Sequence, residues 1–240
     1  MNRLLIFGRG YSGSAVACLA LAAGFAVEGT TRAGLDGSVR FDAADAAVQS
    51  ATHLLSTVGP DEGGDPVLRR YGAAIEAAPS LRWIGYLSST VVYGDRGGAW
   101  VQEDTPPSPS QPRGQRRVDA ENAWLRFADR RAIDIFRLAG IYGPGRSALD
   151  DLRAGQARRV NKPEHHFGRI HRGDIARAVV AAMLQDRPSG RRVLHLADDE
   201  PSASAVVVTE AASLLGVAAP PEISFADALP TMSPMARSFW

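Results

Sequence analysis

Cysteine is almost missing: Cys18 is the only one in 240 residues. A single thiol excludes an internal disulfide framework and any multi-cysteine metal site. Neither sign of charge is in excess, with 27 Lys and Arg against 26 Asp and Glu and a formal net charge of +1. That balance offers no global electrostatic case for nucleic acid or an anionic membrane as partner. Long apolar runs are lacking too. No stretch approaches the roughly 18 apolar residues of a membrane span. The N-terminal run stops at Gly8, too short for a secretory leader. A soluble cytoplasmic protein with a small-molecule substrate is expected. At 45% hydrophobic and 22% charged, the composition is that of an ordinary globular chain. The length fits one large domain, or one domain with a small lobe.

The first half alternates between two periods. Residues 4–7 form a short apolar run suited to a strand buried on both faces. Residues 14–23, rich in Ala and Leu, read as a helix that ends at Gly24. Further strands are expected at 25–30, 39–41, 52–58, 81–88 and 133–138, with helices at 67–78 and 114–131. Between 95 and 112 lies a long Gly- and Pro-rich connection. This βα alternation predicts a Rossmann-type, doubly wound parallel sheet with ligands at the carboxyl ends of its strands. After residue 145 the pattern loosens. Helices are expected at 149–154, 174–184 and 202–215, with strands at 192–196 and 222–225. The division predicted is 1–145 as a dinucleotide-binding domain. Residues 146–240 then supply the last sheet elements and a small C-terminal substrate lobe.

Gly8-Arg9-Gly10-Tyr11-Ser12-Gly13 fits G-x-G-x-x-G, directly after a predicted strand and at the opening of a predicted helix. Gly8 permits the tight turn, Gly10 lets the backbone approach a pyrophosphate, and Gly13 lets helix and strand pack closely. The helix N-terminus then presents free N–H groups to the phosphates. The second strand ends in Thr30-Thr31-Arg32, with Glu28 inside it. Arg32 can pair a ribose 2′-phosphate and Thr31 can add a hydroxyl donor, so NADP(H) is expected ahead of NAD(H). The blander reading of Arg32 is a solvated arginine. Asp42 is either an acceptor for the adenine amino group or a helix N-cap.

Four segments together resemble the extended short-chain dehydrogenases/reductases (SDRs) of the NAD(P)-dependent epimerase/dehydratase type. They are the glycine turn, the stretch Ser88-Ser89-Thr90-Val91-Val92-Tyr93-Gly94, residues 137–145 (RLAGIYGPG) and residues 170–176 (IHRGDIA). The G-x-G-x-x-G spacing, in place of the usual G-x-x-G-x-x-G, marks an atypical member. The resemblance implies that Ser89, four residues before Tyr93, polarises a substrate carbonyl or hydroxyl. It also implies a Tyr-x-x-x-Lys pair on the long helix, followed by a glutamate matched by Glu121. Here the Tyr position is Arg113 and the Lys position is Arg117. A guanidinium stays charged at every working pH and is a poor proton shuttle. Arg117 can still bond the nicotinamide ribose, and Arg113 can clamp an anionic group of a ligand. Tyr142, Tyr93 and Tyr11 are the candidate substitute acids, with Tyr142 or water expected to supply the proton. A homodimer packed through helix 114–131 is also implied, and that helix carries Arg116, Arg117, Arg126, Arg130 and Arg131.

Other features read as structural. Cys18 is expected to be a buried, inert thiol. Asp174 is expected as an N-cap, with His171 packed or lining the cleft. The adjacent His165 and His166 point to opposite faces of an extended segment and make a poor metal pair. The Arg-Arg pairs are expected to decorate solvated helix ends. Trp83 and Trp124 are expected to pack on the sheet, and Phe239 and Trp240 to cover the small lobe or an interface. Two functions follow from these residues. One is an atypical NADP(H)-dependent oxidoreductase or epimerase/dehydratase-like enzyme acting on a small, anionic substrate. The other is a non-catalytic NADP(H)-sensing regulatory protein.

Overall fold

Leu4, Leu5, Ile6 and Phe7 are at most 1% exposed, as a strand covered on both faces requires. In the computed structural model, which describes residues 1–34 and 37–233, they lie in β1 (Arg3–Phe7). The chain continues through α1 (Tyr11–Ala22), β2 (Ala26–Thr31), β3 (Val39–Arg40), α2 (Asp45–Ser50), β4 (His53–Ser56) and α3 (Pro66–Ala77). Then come β5 (Trp83–Ser89), α4 (Pro112–Leu125), β6 (Ala132–Leu138), β7 (Gly140–Tyr142), α5 (Ala148–Arg153) and β8 (Arg159–Asn161). The last elements are β9 (Arg169–His171), α6 (Arg172–Met183), β10 (Gly190–Leu196), α7 (Ser204–Leu215), β11 (Glu222–Ser224) and α8 (Phe225–Ala228).

The chain forms two compact units. The first holds Met1–Asp95, Val101–Ala139 and Arg172–Leu196. Its seven-stranded sheet has the order β10-β6-β5-β4-β1-β2-β3, and every pair is parallel. This is the doubly wound, Rossmann-type α/β fold. The strand order reverses beside β1, with β2 and β3 on one side and β4, β5, β6 and β10 on the other. That reversal opens a crevice at the carboxyl ends of β1 and β4, where such sheets bind ligands. One continuous core packs Phe7, Val48, Leu54, Tyr71, Ile75, Tyr86 and Trp124 between the sheet and its helices. Helix α3 starts where Asp65 accepts from the amides of Val67 and Leu68, with Pro66 in the first turn.

Several elements differ from expectation, each for a visible reason. Helix α4 stops at Leu125, short of residue 131. There the chain turns back because the buried Arg131 guanidinium donates to the carbonyls of Ile75, Glu76, Ala78 and Leu81. Arg131 is thus no solvated helix end. Nor is Arg192, which pairs with the fully buried Asp134. Cys18 is exposed. Helix α1 buries residues 12, 13, 16, 17 and 20, and position 18 falls outside that stripe. Asp174 lies in the first turn of α6, which begins at Arg172, and pairs with Arg177. Trp83 and Trp124 are buried on the sheet as expected, with their indole N–H groups bonded to Asp134 and Asp65.

The second unit comprises Arg96–Trp100, Gly140–His171 and the described part of Ala197–Trp240. It contains two small parallel pairs, β7 with β9 and β8 with β11. These three-residue strands are too short to show a period-2 signal. Val160, Ala228 and Met232 form a minor core, with Ile223 and Phe225 packed on it. Phe239 and Trp240 lie outside the described residues. Among the described residues no helix is long and apolar enough to cross a membrane.

Candidate functional site

The glycine turn caps the carboxyl end of β1, and its three glycines do different things. Gly8 has φ +89, and a Cβ there would lie 2.5 Å from Thr57 Oγ1. Thr57 follows β4 and donates its hydroxyl to the Gly8 carbonyl at 2.6 Å, closing the crevice floor. A Cβ on Gly13 would lie 2.4 Å from the Gly8 carbonyl oxygen. Gly10 has nothing within 4 Å of the same position and is exposed. No side chain caps α1, and its first turn holds no acidic residue. The open face at Gly10 and the uncapped amides of α1 fit a dinucleotide pyrophosphate. Around the turn, the Arg9 side chain lies across Gly29 of β2. Arg172 sits over the Tyr11 ring at 4.6 Å. Ser12 is buried in the first turn.

At the end of β2, Arg32 is exposed and holds no ion pair among the described residues. The Thr31 hydroxyl bonds Ser38 Oγ at 2.7 Å and accepts from the Gly34 amide at 3.0 Å, which shapes the loop that presents Arg32. Asp42 does not cap α2, whose N-cap is Ala44. Its carboxylate is paired with Arg40 at 2.8 Å, and that bond holds it below the usual carboxylate range.

The carboxyl end of β5 carries the second cluster. Ser89 Oγ accepts from the Val91 amide at 3.3 Å. Its hydroxyl proton has no acceptor among the described residues. Arg117 donates through Nη1 to Tyr86 Oη at 2.9 Å and to the Leu87 carbonyl at 3.1 Å, and its Nη2 lies against Gly59 just beyond β4. Burial raises the Tyr86 phenol well above its ordinary range, so it stays protonated beside Arg117. Arg113 is half-buried one turn earlier, and desolvation, then the charges of Arg117 and Arg116, disfavour its cation.

Beneath this cluster runs a polar network. Arg137 in β6 donates to Glu121 of α4 through Nε and Nη2, the latter at 2.8 Å, with both side chains at most 6% exposed. Glu121 also accepts from Ser88 Oγ at 2.5 Å. Arg137 Nη1 donates to Tyr93 Oη at 2.5 Å, and Tyr93 Oη meets His195 Nε2 at 2.5 Å. Tyr93 therefore has a structural role, since its oxygen is engaged by Arg137 and His195. The His195 amide donates to Glu103 at 3.0 Å, and Tyr93 donates to the Gln102 carbonyl at 3.1 Å, so this network also fastens the 101–105 segment. His195 escaped the sequence reading. Arg137 left one signal, since it and Asp134 are the two charges inside a buried, mostly apolar strand.

No family model matches the chain. Protein YeeZ of Escherichia coli K12 is 33% identical over 135 residues, which is 56% of this chain and 47% of YeeZ. The match thus spans about half the length of that curated relative. A functionally unknown conserved protein from Silicibacter pomeroyi superposes with a TM-score of 0.91 at 40% identity, covering 100% of this chain and 86% of that one. A putative NAD-dependent epimerase/dehydratase from Methylobacillus flagellatus gives 0.68 at 26% identity, covering 96% and 91%. Over almost its whole length the chain shares the fold of a structure described as an NAD-dependent epimerase/dehydratase. Human epimerase family protein SDR39U1, solved with NADPH, shares this fold, with a TM-score of 0.79 at 19% identity over 98% and 87% of the two chains.

Tyr142 and His171 belong to the second unit, where their rings meet at 5.3 Å. Tyr142 lines a cleft of about 430 Å³ within that unit, together with Gln156, Arg158, Arg169, Val208 and Met232. Arg169 is held there by the carbonyls of Phe167 and Ser202, both at 2.9 Å. His165 is half-buried and His166 exposed, and no His, Cys, Asp or Glu group among the described residues is arranged to hold a metal.

Proposed function

We propose that this protein is an atypical extended SDR, an NADP(H)-binding oxidoreductase or epimerase/dehydratase-like enzyme whose substrate is small and anionic. The observation that carries the reading is the open backbone at Gly10 above the uncapped N-terminus of α1. Gly8, Arg9, Gly10, Tyr11, Ser12 and Gly13 would hold the pyrophosphate end of the nucleotide. Thr31 and Arg32 would receive its 2′-phosphate, and an exposed arginine without an ion pair among the described residues supports that preference. A bound nicotinamide supplies hydride transfer. Ser89 then donates its unused hydroxyl proton as a hydrogen bond to a substrate carbonyl or hydroxyl. Arg117, anchored on Leu87 and Tyr86, orients the ribose. Arg113 holds the anionic group, and water is the proton source, because neither arginine releases a proton at working pH.

The same loss of a tyrosine acid favours a second reading, a sensor that binds NADP(H) without turnover. Calorimetric titration with NADPH, NADP⁺, NADH and NAD⁺ tests both. The first reading expects tight binding of the phosphorylated pair and a loss of about ten-fold or more for NADPH in Arg32→Ala. Equal affinity for all four nucleotides overturns the NADP(H) preference, and no binding at all overturns the function. A strong bias between NADPH and NADP⁺, with no deuteride transfer from labelled NADPH to any carbonyl tested, favours the sensor.

A further inference from the structure

Arg113, Arg116 and Arg117 stand at i, i+3 and i+4 on α4, and neighbours at that spacing share one helix face. All three are half-buried. Like charges at this spacing repel, and cations in the first turns of a helix oppose its dipole. Asp61 acts electrostatically on Arg116 and Asp65 on Arg117, but each carboxylate is hydrogen-bonded elsewhere. Asp61 is held by both oxygens to Arg69, each at 2.9 Å. Asp65 is spent on the amides of Val67 and Leu68 and on the Trp124 indole. Arg117 bonds only the neutral Tyr86 hydroxyl and Leu87 carbonyl. Arg116 Nε is buried without a hydrogen-bond acceptor among the described residues. Neither Arg116 nor Arg117 holds an ion pair among those residues. The repulsion is visible at Arg113, whose cation is disfavoured first by burial and then by Arg117 and Arg116.

We propose that Arg113, Arg116 and Arg117 form the receiving site for a phosphate monoester carried by the substrate, beside the carboxyl ends of β4 and β5. The inference rests on the reading above, which brings nucleotide and substrate to this end of the sheet. A dianion offsets the mutual repulsion of the three guanidiniums, and a single carboxylate offsets less of it. Three terminal oxygens also give three forked donors enough acceptors, whereas a carboxylate has two. Gly59, against which Arg117 Nη2 rests, has no side chain to obstruct the approach.

The test is calorimetric titration of the protein with inorganic phosphate, with and without saturating NADPH, against acetate at equal ionic strength. Phosphate is expected to bind in both conditions and acetate at least about ten-fold more weakly. Arg116→Gln and, separately, Arg113→Gln are each expected to weaken phosphate by about ten-fold while NADPH affinity stays unchanged. Thermal unfolding of both variants verifies that they are folded. Three results overturn the proposal: no phosphate binding, phosphate binding indifferent to both substitutions, or displacement of phosphate by NADPH. The last would assign the trio to the nucleotide's own phosphates. Phosphate binding in a protein that binds no nucleotide would support the trio and overturn only the reading beneath it.

Discussion

At the residue scale, two glycines three positions apart have opposite jobs. A methyl on Gly13 meets the Gly8 carbonyl oxygen at 2.4 Å, so the turn or the helix must move. Overpacking of this kind costs about 1–3 kcal/mol. A methyl on Gly10 meets nothing within 4 Å. We therefore expect Gly13→Ala to lower the urea midpoint of the whole protein. Gly10→Ala should leave stability within about 0.5 kcal/mol and still weaken NADPH, since the added methyl occupies the pyrophosphate approach. Equal stability loss in both variants would contradict this division. Cys18 is the counter-example at the same scale. Its neighbours in sequence are Ala and Leu, yet the thiol is exposed. Local composition reports that a helix is apolar, whereas the packing of α1 against α6 and the sheet decides which side is covered.

At the element scale, α4 is fastened to β5 and β6 by charge as well as by apolar packing. Glu121 receives Ser88 from β5 and Arg137 from β6, and both members of the ion pair are nearly fully buried. Removing one partner of such a pair leaves the other charged and unsolvated, which costs about 3–5 kcal/mol. Glu121→Ala should therefore lose about that much stability in chemical denaturation. Glu121→Gln retains an acceptor for Arg137 and should lose less. Equal losses in the two variants would show that a neutral acceptor of the same volume does not replace the carboxylate. The resemblance pointed to Glu121 and to the Tyr93 stretch. It did not point to His195, because β10 reaches β6 only after the chain has left this unit and returned.

At the scale of the whole molecule, one buried histidine couples stability to pH. His53 opens β4, packed against Phe25 at 5.0 Å and Trp83 at 6.1 Å, and is 2% exposed. Burial is the main cause that lowers its pKa from 6.5 to about 4, with Arg82 adding to it and Asp186 and the Met183 carbonyl opposing. The unfolded chain takes up this proton near the ordinary histidine value, and the folded chain refuses it until about 4. Stability from this group is thus fully present above pH about 6.5, declines as pH falls, and is lost by pH about 4, a span worth about 3 kcal/mol. Denaturation midpoints measured across this range should show that decline, and His53→Gln should flatten it. A wild-type curve unchanged by the substitution would remove His53 as the cause.

The sequence by itself determined what depends on short-range chemistry. The apolar run at 4–7 is a buried strand, the βα alternation is a parallel sheet, and Gly8, Gly10 and Gly13 form the turn that their spacing predicts. Each of these rests on a property of one residue or its near neighbours: a missing Cβ, a permitted φ, an apolar face. Tertiary structure decided the partners. It brought Tyr93 to His195 across 102 positions and Arg131 to the carbonyls of Ile75 and Leu81. It also left Arg116 and Arg117 without a carboxylate partner among the described residues. The reason is physical: whether a charge is paired, stranded or solvated depends on which strands lie side by side, and that order belongs to the assembled sheet.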